Sequence, residues 1–267
     1  MSNRFRNVFA NDPLIGMVHL LPLPGSPGYG GSIKEILHAA FDDMQALVEG
    51  GVDAFIVENF GDVPYSGSIS RETFAAMTSV CALLKKECHI PLGVNVQFSD
   101  VDCEWALALA TDADFIRVET LVENRIGIHG ISYACAPHLM RLKANYPAKA
   151  MIFADINVKH TFPLVAQPID FSVHEAIETG ADALIVTGLL TGQNPTMDDV
   201  KNIKKLARNT PVIIGSGITS DNAVDYLDVS DGVIVGSSLK FNGNVNNRVD
   251  RKRVRALVDR IRGKDLE

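Results

Sequence analysis

Short apolar runs rich in valine, isoleucine and alanine recur along the chain and alternate with segments of helical periodicity. Eight such runs begin near Leu14, Asp53, Pro91, Asp114, Ala150, Asp182, Pro211 and Asp231. Runs of this kind are typical of parallel strands that are covered on both faces. The intervening segments carry apolar residues at helical spacing, as in 33–50, 197–209 and 249–261. The pattern therefore predicts eight βα units.

Eight βα units in about 250 residues favour a (β/α)8 TIM barrel with a parallel eight-stranded core. An open doubly wound sheet is the alternative, but such sheets usually have about five to seven strands, and no Gly-x-Gly-x-x-Gly pattern follows the first run. Ser32 and Glu35 form a capping-box signature at the first long helix, which Gly50-Gly51 would end. No linker or low-complexity stretch divides the chain, so we expect one domain over residues 1–267.

The segments that leave the predicted strands are longer than those that enter them. Residues 21–32, 60–70, 121–132 and 159–171 leave strands, whereas an entering segment such as 49–53 is short. In a parallel barrel, the leaving segments all lie at the C-terminal ends of the strands, where barrel enzymes carry their chemistry. This asymmetry predicts a functional site at that end of the barrel.

The seventh and eighth predicted strands both end in small residues, in the runs PVIIGSG (211–217) and DGVIVGSS (231–238). Barrels often hold phosphate at these two strand ends through backbone N–H groups and a short helix. Glycine lets the backbone approach an anion, serine adds hydroxyl donors, and Lys240 would add charge. Two ordinary tight turns are the alternative. We expect an anion site formed by Gly215, Ser216, Gly217, Gly236, Ser237 and Ser238.

The fifth predicted strand ends in ADINVKH, in which Asp155, Asn157 and Lys159 alternate and therefore share one face. A desolvated lysine at the barrel mouth can act as a Schiff-base nucleophile or a general base. Asp155 would pair with Lys159 or act as a base itself. The alternative is a structural ion pair that closes the top of the barrel. We take Asp155 and Lys159 as candidate catalytic residues.

Arg117, on the fourth predicted strand, is a third candidate catalytic residue. A guanidinium in the barrel mouth suits a phosphate or carboxylate group through paired hydrogen bonds. The alternative is a salt bridge between Arg117 and Glu119, Glu58 or Asp155. Both interpretations place the arginine inside the barrel.

Glu58 shares the parity of Ala54 and Ile56, which indicates an inward face and makes it a candidate general acid or base. Asn95, on the third strand, could orient substrate hydroxyls. His19, at the end of the first strand, could bind substrate or shuttle a proton, or it could be a hydrogen-bonded structural residue. We predict no cofactor, and a divalent metal held by Glu58 and Asp155 stays an open alternative.

Composition excludes several classes of protein. The chain is 46% hydrophobic and 21% charged with a net charge of −7, and its only basic run, 248–264, fits the solvated face of a terminal helix. A nucleic-acid binder would carry a broader basic surface. The four cysteines lack metal or disulfide spacing, and no apolar run is long enough to span a bilayer. We expect a cytoplasmic protein with reduced thiols.

Longer blocks carry a family resemblance. GMVHLLPLPGSPGY, VENFGDVPY, ADINVKHTFPL, IVTGLLTGQNP and DGVIVGSSLK occur in order, and together they resemble the BtpA/SgcQ family over residues 15–258, most closely its SgcQ branch. The resemblance implies a barrel of the ribulose-phosphate-binding type. The branch is tied by name to a carbohydrate-utilisation gene region, and the family takes its name from a photosystem I biogenesis factor. Many relatives are expected to carry a TGARVTDQG-like stretch where this chain has ETLVENRIGIHGIS, so contacts from that loop would differ.

These observations predict an enzyme that acts on a small phosphorylated, sugar-derived molecule, as an isomerase, an epimerase or an aldolase-like lyase. Glu58, Arg117, Asp155 and Lys159 would surround the reacting carbon. One alternative is a non-catalytic assembly or regulatory factor of the photosystem I biogenesis type. Another is a barrel that keeps the phosphate site and has lost the chemistry. We also expect a homo-oligomer, because barrels with exposed apolar helices often self-associate.

Overall fold

The eight predicted strands close into a parallel barrel. The computed structural model describes residues 4–9, 12–98, 100–158, 160–188 and 194–263. The barrel strands are β1 (Leu14–His19), β2 (Ala54–Glu58), β3 (Leu92–Asn95), β4 (Phe115–Val118), β7 (Met151–Ile156), β9 (Ala183–Val186), β10 (Val212–Ile214) and β11 (Val233–Val235). Each pairs in parallel with the next, and β11 returns to β1. The TIM barrel is confirmed, and each strand begins within two residues of its predicted start.

The helices lie around the barrel, except for a short one at the N-terminal side. They are α1 (Arg4–Val8), α2 (Ile33–Gly50), α3 (Arg71–Glu87), α4 (Val101–Thr111), α5 (Ala136–Asn145), α6 (Ile169–Glu178), α7 (Met197–Ala207), α8 (Ala223–Leu227) and α9 (Arg251–Gly263). The predicted cap of α2 is present, since the Glu35 N–H donates to Ser32 Oγ at 3.2 Å. Gly51 ends α2 in the left-handed conformation with φ of 98°.

Apolar side chains fill the barrel interior. Alternate residues of the strands form one buried cluster: Ile15, Met17, Ala54, Ile56, Phe115, Met151, Phe153, Ala183, Ile185, Ile213 and Ile234. Phe5 and Phe9 from the α1 segment join this cluster, and the Phe9 ring lies 5.8 Å from that of Phe115 and 6.0 Å from that of Phe153. Inward-facing residues of a barrel form such layers, and here an N-terminal segment that the sequence analysis did not identify adds two aromatic rings to them.

The loops after β4 and β7 contain a small sheet that the sequence analysis did not predict. Strands β5 (Arg125–Gly127), β6 (Gly130–Ser132) and β8 (Phe162–Pro163) pair antiparallel in the order β6-β5-β8. The buried Arg125 guanidinium donates to Glu123 Oε2 at 2.7 Å and to Asn157 Oδ1 at 3.0 Å. These bonds attach the small sheet to the residue that follows β7.

Two further expectations concern thiols and membranes. The four cysteines are free thiols, with Cys81, Cys88 and Cys135 buried, in agreement with the expectation from their spacing. In the parts of the chain that the structure describes, no helix combines the length and the apolar character needed to cross a bilayer.

Removal of the Phe9 ring should destabilise the barrel. We expect Phe9→Ala to lower the free energy of unfolding by about 3–5 kcal/mol, because it leaves a cavity among aromatic rings. Urea denaturation measures this loss. Val8→Ala is the matched control, since Val8 is 43% exposed, and it should change the same free energy by less than about 0.5 kcal/mol. Equal losses in the two variants would contradict the packing of α1 against the barrel interior.

Candidate active site

The barrel interior becomes polar at the C-terminal ends of the strands. His19, Glu58, Asn95, Arg117 and Asp155 continue the inward parity of the apolar layers on their strands. Glu58, Asn95, Arg117 and Asp155 are all buried. Strand alternation therefore identified the inward positions of Glu58, Arg117 and Asp155 correctly from the sequence.

Arg117 and Asp155 form a bidentate ion pair in the barrel mouth. Arg117 Nε donates to Asp155 Oδ2 at 2.8 Å, and Nη2 donates to Oδ1 at 2.9 Å. Burial lowers the pKa of Arg117, but the negative charges of Asp155, Glu58 and Glu119 outweigh it and raise the pKa above its usual value. The ion-pair alternative for Arg117 is thus what the structure contains. Lys159, the predicted partner of Asp155, lies outside the described residues.

Glu58 and His19 lie next to each other on one wall of the mouth. Gln97 Nε2 donates to Glu58 Oε1 at 2.6 Å, and His19 Nε2 lies 4.0 Å from the same oxygen. The His19 ring stacks on Phe60 with centroids 4.3 Å apart and planes at 14°. Gln97 and Phe60 therefore hold the carboxylate and the imidazole in fixed orientations.

Glu119 is a buried acid that the sequence analysis treated only as a partner for Arg117. Its Oε2 accepts the backbone N–H of Phe98. Burial raises the pKa of Glu119 to about 8; Arg117 opposes this shift, and the charges of Asp155 and Glu58 add to it. Glu119 is therefore mainly protonated at neutral pH, which reduces the negative charge that the mouth must accommodate.

Asn95 faces the protein rather than the cavity. Its Nδ2 donates to the carbonyl of Arg117 at 3.0 Å and lies 3.5 Å from Glu104 Oε1 on α4. Burial raises the pKa of Glu104 well above its usual value, against the hydrogen bond that the carboxyl accepts from the N–H of Val96. These contacts join β3, β4 and α4, and a direct substrate contact for Asn95 stays a prediction.

A cavity of about 280 Å³ opens at the mouth and brings most of the predicted site together. His19, Glu58 and Arg117 line one part of it. The rest of the cavity is lined by both glycine-serine loops, that is, Gly215, Ser216, Gly217, Gly236, Ser237 and Ser238. Asp155 and Asn95 are absent from its lining among the described residues.

The two glycine-serine loops are hydrogen-bonded to each other and to the segment that follows β9. Ser238 Oγ donates to the carbonyl of Ile218 at 2.6 Å, and Ser216 Oγ accepts the N–H of Gly188 at 2.9 Å. The 3-10 helix Ser237–Leu239 begins directly after β11, as expected for a phosphate-binding turn. The hydroxyl groups of Ser216 and Ser238 thus hold the loops in shape. The sequence analysis had assigned these two hydroxyl groups to ligand contact.

Three backbone donors remain available at this part of the cavity. Among the hydrogen bonds of the described residues, none uses the N–H group of Gly217, Ser237 or Ser238. Gly217 has φ of 76°, a conformation that other residues rarely adopt. Unused N–H groups at adjacent strand ends are what an anion site requires.

Arg253 supplies the positive charge that the sequence analysis assigned to Lys240. It extends from α9, its Nε donates to the carbonyl of Ser238 at 2.7 Å, and it lines the cavity. Lys240 is buried, and its Nζ donates to the carbonyl of Asn247 at 3.0 Å, so its predicted role at the anion site is wrong. Arg253 was missed because it lies within a basic run typical of a solvated helix face.

Gly215 packs closely against β9 and the residue that follows it. A Cβ atom at this position would lie 2.5 Å from Ile185 Cγ2 and 2.8 Å from Thr187 Cγ2. Any side chain here would press on this wall of the barrel. This glycine is therefore a packing requirement of the mouth as well as part of a loop.

Both carboxylates of the metal site that the sequence analysis left open have protein partners, since Gln97 donates to Glu58 and Arg117 to Asp155, and the metal stays a prediction. Both oxygens of Asp155 accept hydrogen bonds from Arg117, so Asp155 and Glu58 are not a free pair. Within the described ranges, no three side chains of His, Cys, Asp and Glu converge in a way that could hold a metal ion.

The chain belongs to the BtpA family, whose family model matches residues 10–263. It is 40% identical over 255 residues to an uncharacterised protein of Pyrococcus abyssi, covering 94% of this chain and 97% of the relative. It is 37% identical over 257 residues to the photosystem I biogenesis protein BtpA of Synechocystis, covering 96% and 90%. The family resemblance is confirmed, and its placement in the SgcQ branch stays a prediction.

A solved structure with the same fold is phosphoribosyl anthranilate isomerase from Thermococcus kodakaraensis. The superposition has a TM-score of 0.57 at 18% sequence identity and covers 94% of this chain and 99% of the isomerase. At this identity the likeness shows the TIM-barrel fold alone.

The protonation of Glu119 should make stability depend on pH. Its pKa is raised in the folded protein from 4.5 to about 8, so its contribution to stability is complete below about pH 4.5 and is lost as the pH rises through about 8. We expect wild type to lose stability relative to Glu119→Gln across this window, by up to about 1.4 kcal/mol per pH unit. Urea denaturation of both proteins between pH 5 and about 9 measures the difference.

The exposed Glu178 provides the control for this prediction. Glu178→Gln should follow the wild-type profile of stability against pH. A Glu119→Gln profile parallel to wild type would contradict the buried, protonated state of Glu119.

Proposed function

We propose that the protein is an enzyme that isomerises or epimerises a small phosphorylated, sugar-derived molecule. The observation that supports this most is the composition of one cavity. The carboxylate of Glu58 and the imidazole of His19 line one part of it. Another part is lined by Arg253 and by the two glycine-serine loops, whose unused N–H groups could bind an anion. A proton-transfer enzyme for phosphorylated substrates needs these two elements within reach of a single small molecule.

The phosphate would lie between the two glycine-serine loops. The N–H groups of Gly217, Ser237 and Ser238 would donate to its oxygens, and the Arg253 guanidinium would add a charge-assisted contact. Because these contacts are remote from the reacting carbon, their binding energy would position the substrate. The positive charge of Arg253 also sets this end of the cavity apart from the acidic end around Glu58.

The reacting carbon would lie next to Glu58. Gln97 holds Oε1, so the carboxylate is oriented to remove a proton from a carbon beside a carbonyl. The electrons of the C–H bond would move to the carbonyl oxygen, and Arg117, which lines the cavity, would stabilise the enolate oxygen. For an isomerisation, His19 would carry the proton of the adjacent hydroxyl group to the enolate oxygen, and Glu58 would return the C–H proton to the former carbonyl carbon. For an epimerisation, a second acid or a water molecule would supply a proton to the opposite face of the same carbon, and Glu58 would keep the first proton. Asp155 would hold Arg117 in place.

The fold neighbour is consistent with this proposal without deciding it. That protein is by name an isomerase of a phosphoribosyl compound, and it shares the barrel over nearly the whole chain. Many unrelated reactions use this fold, so the proposal depends on the cavity. A lyase that uses Lys159 as a Schiff-base nucleophile is a second catalytic form of the proposal, supported by the position of that lysine in the sequence, three residues after the last residue of β7.

A non-catalytic assembly factor is the alternative from another class. The 37% identity to a photosystem I biogenesis protein is the observation that favours it. Such a factor has no need for a carboxylate, an imidazole and unused N–H groups in one cavity, and leaving polar groups there costs stability. We therefore favour the enzyme.

Loss of Arg253 should weaken phosphate binding. We expect Arg253→Ala to raise the Kd of a bound sugar phosphate about 10-fold or more, because it removes a charge-assisted contact. A thermal-shift titration with a panel of sugar phosphates and with inorganic phosphate measures the Kd. Lys252→Ala is the matched control, since Lys252 is the adjacent exposed cation of α9 and does not line the cavity. No shift with any phosphorylated compound would overturn the proposed anion site.

Loss of the Glu58 carboxylate should abolish proton transfer and leave binding intact. We expect Glu58→Gln to slow exchange of the substrate C–H proton into deuterated water by about 10²–10⁴-fold, with the Kd changed by less than about 3-fold. Proton NMR of the panel compound that binds measures the exchange. Glu178→Gln should exchange at the wild-type rate. Binding without exchange in wild type would contradict the isomerase and favour the lyase or the non-catalytic factor.

A further inference from the structure

The small sheet β6-β5-β8 presents an apolar face away from the barrel. Ile126 lies directly opposite Ile131 on β6 and opposite Phe162 on β8. Side chains of directly paired residues point to the same face of an antiparallel sheet. All three are exposed, and Phe162 is 74% exposed. The three strands therefore form a continuous apolar stripe on the outer face.

The other face of this sheet is polar and buried. Arg125 pairs with Ser132, and both are buried against the barrel side. Arg125 bonds to Glu123, Asn157 and the carbonyl of Thr161. A sheet of a soluble monomer normally buries its apolar face and exposes its polar one. The inverted pattern indicates that the outer face is covered by another surface.

The apolar face extends beyond the three paired residues. The residues that directly follow the three strands, Ile128, Tyr133 and Leu164, are also exposed. The docking face comprises six side chains, each between 41% and 89% exposed: Ile126, Ile128, Ile131, Tyr133, Phe162 and Leu164. Side chains of this size expose an area on the order of 700 Å² in total, which is close to what one partner buries in a standard protein interface.

Charge identifies the partner as a second copy of the chain. Residues 126–134 and 161–167 contain no Asp, Glu, Lys or Arg, although the whole chain carries a net charge of −7. Such a face offers nothing for a basic or acidic partner to recognise. Two copies of it can meet without placing like charges together, and an apolar patch is complementary to itself under two-fold symmetry.

We propose that this docking face is the isologous interface of a homodimer. The contact is between faces and does not extend the sheet, because the edge strands β6 and β8 have only three and two residues. Arg125 connects the sheet to the barrel, since it donates to Asn157 directly after β7. The interface is independent of the proposed enzymatic function.

Sedimentation velocity of the full chain over a wide range of concentrations tests the proposal. We expect wild type to be a dimer and the double variant Ile128→Glu/Phe162→Glu to have a dimer dissociation constant at least about 100-fold higher, because four carboxylates would be buried at the interface. Leu109→Glu is the matched control. Leu109 is 45% exposed on α4, outside the docking face, and its variant should dimerise as wild type does.

Cross-linking keeps the test decisive if the double variant fails to fold. Ile126→Cys, at the centre of the stripe, should give a covalent dimer with a flexible bismaleimide, whereas wild type and Leu109→Cys should not. If the wild-type protein is monomeric at all concentrations, the proposal is overturned. This holds also if the monomer binds lipid vesicles or another protein through this face. A dimer that the double variant leaves intact overturns it as well, because the interface then lies elsewhere.

Discussion

The bidentate ion pair between Arg117 and Asp155 is the constraint on which the barrel mouth depends. Both side chains are almost completely buried, where an unpaired charge would cost several kcal/mol. Their pairing lets a guanidinium occupy the top of a barrel whose lower layers are apolar. Two further acids lie beside this pair. Glu119 is mainly protonated at neutral pH, and Glu58 is oriented by a hydrogen bond from Gln97. A fixed positive group and an oriented carboxylate thus lie at one cavity.

The cavity divides its tasks between two halves of the barrel. Strands β1, β2 and β4 carry the groups suited to chemistry, and the loops after β10 and β11 carry the groups suited to binding an anion. This division follows from barrel geometry, because strands distant in sequence open on the same mouth. Ser216 and Ser238 illustrate it, since their hydroxyls fasten the loops and leave backbone N–H groups and Arg253 for the ligand.

The small sheet above β4 and β7 adds a surface of a different kind. Its buried side is polar and bonded through Arg125, and its outer side is apolar. The same sheet joins the loops that follow two strands of the polar layer, so assembly and the architecture of the mouth share one element. The loop after β4 is also where this chain was expected to differ from many relatives.

The sequence by itself determined the eight strands, the barrel, the inward parity of Glu58, Arg117 and Asp155 and the convergence of both glycine-serine loops. These follow from local periodicity and from chain order, which a single sequence records. Only the tertiary structure showed that Arg117 pairs with Asp155, that Glu119 is buried in the field of two other acids, and that Arg253, rather than Lys240, reaches the cavity. The physical reason is that side-chain partners and burial depend on distances between residues far apart in the chain, and periodicity within one segment carries no information about them.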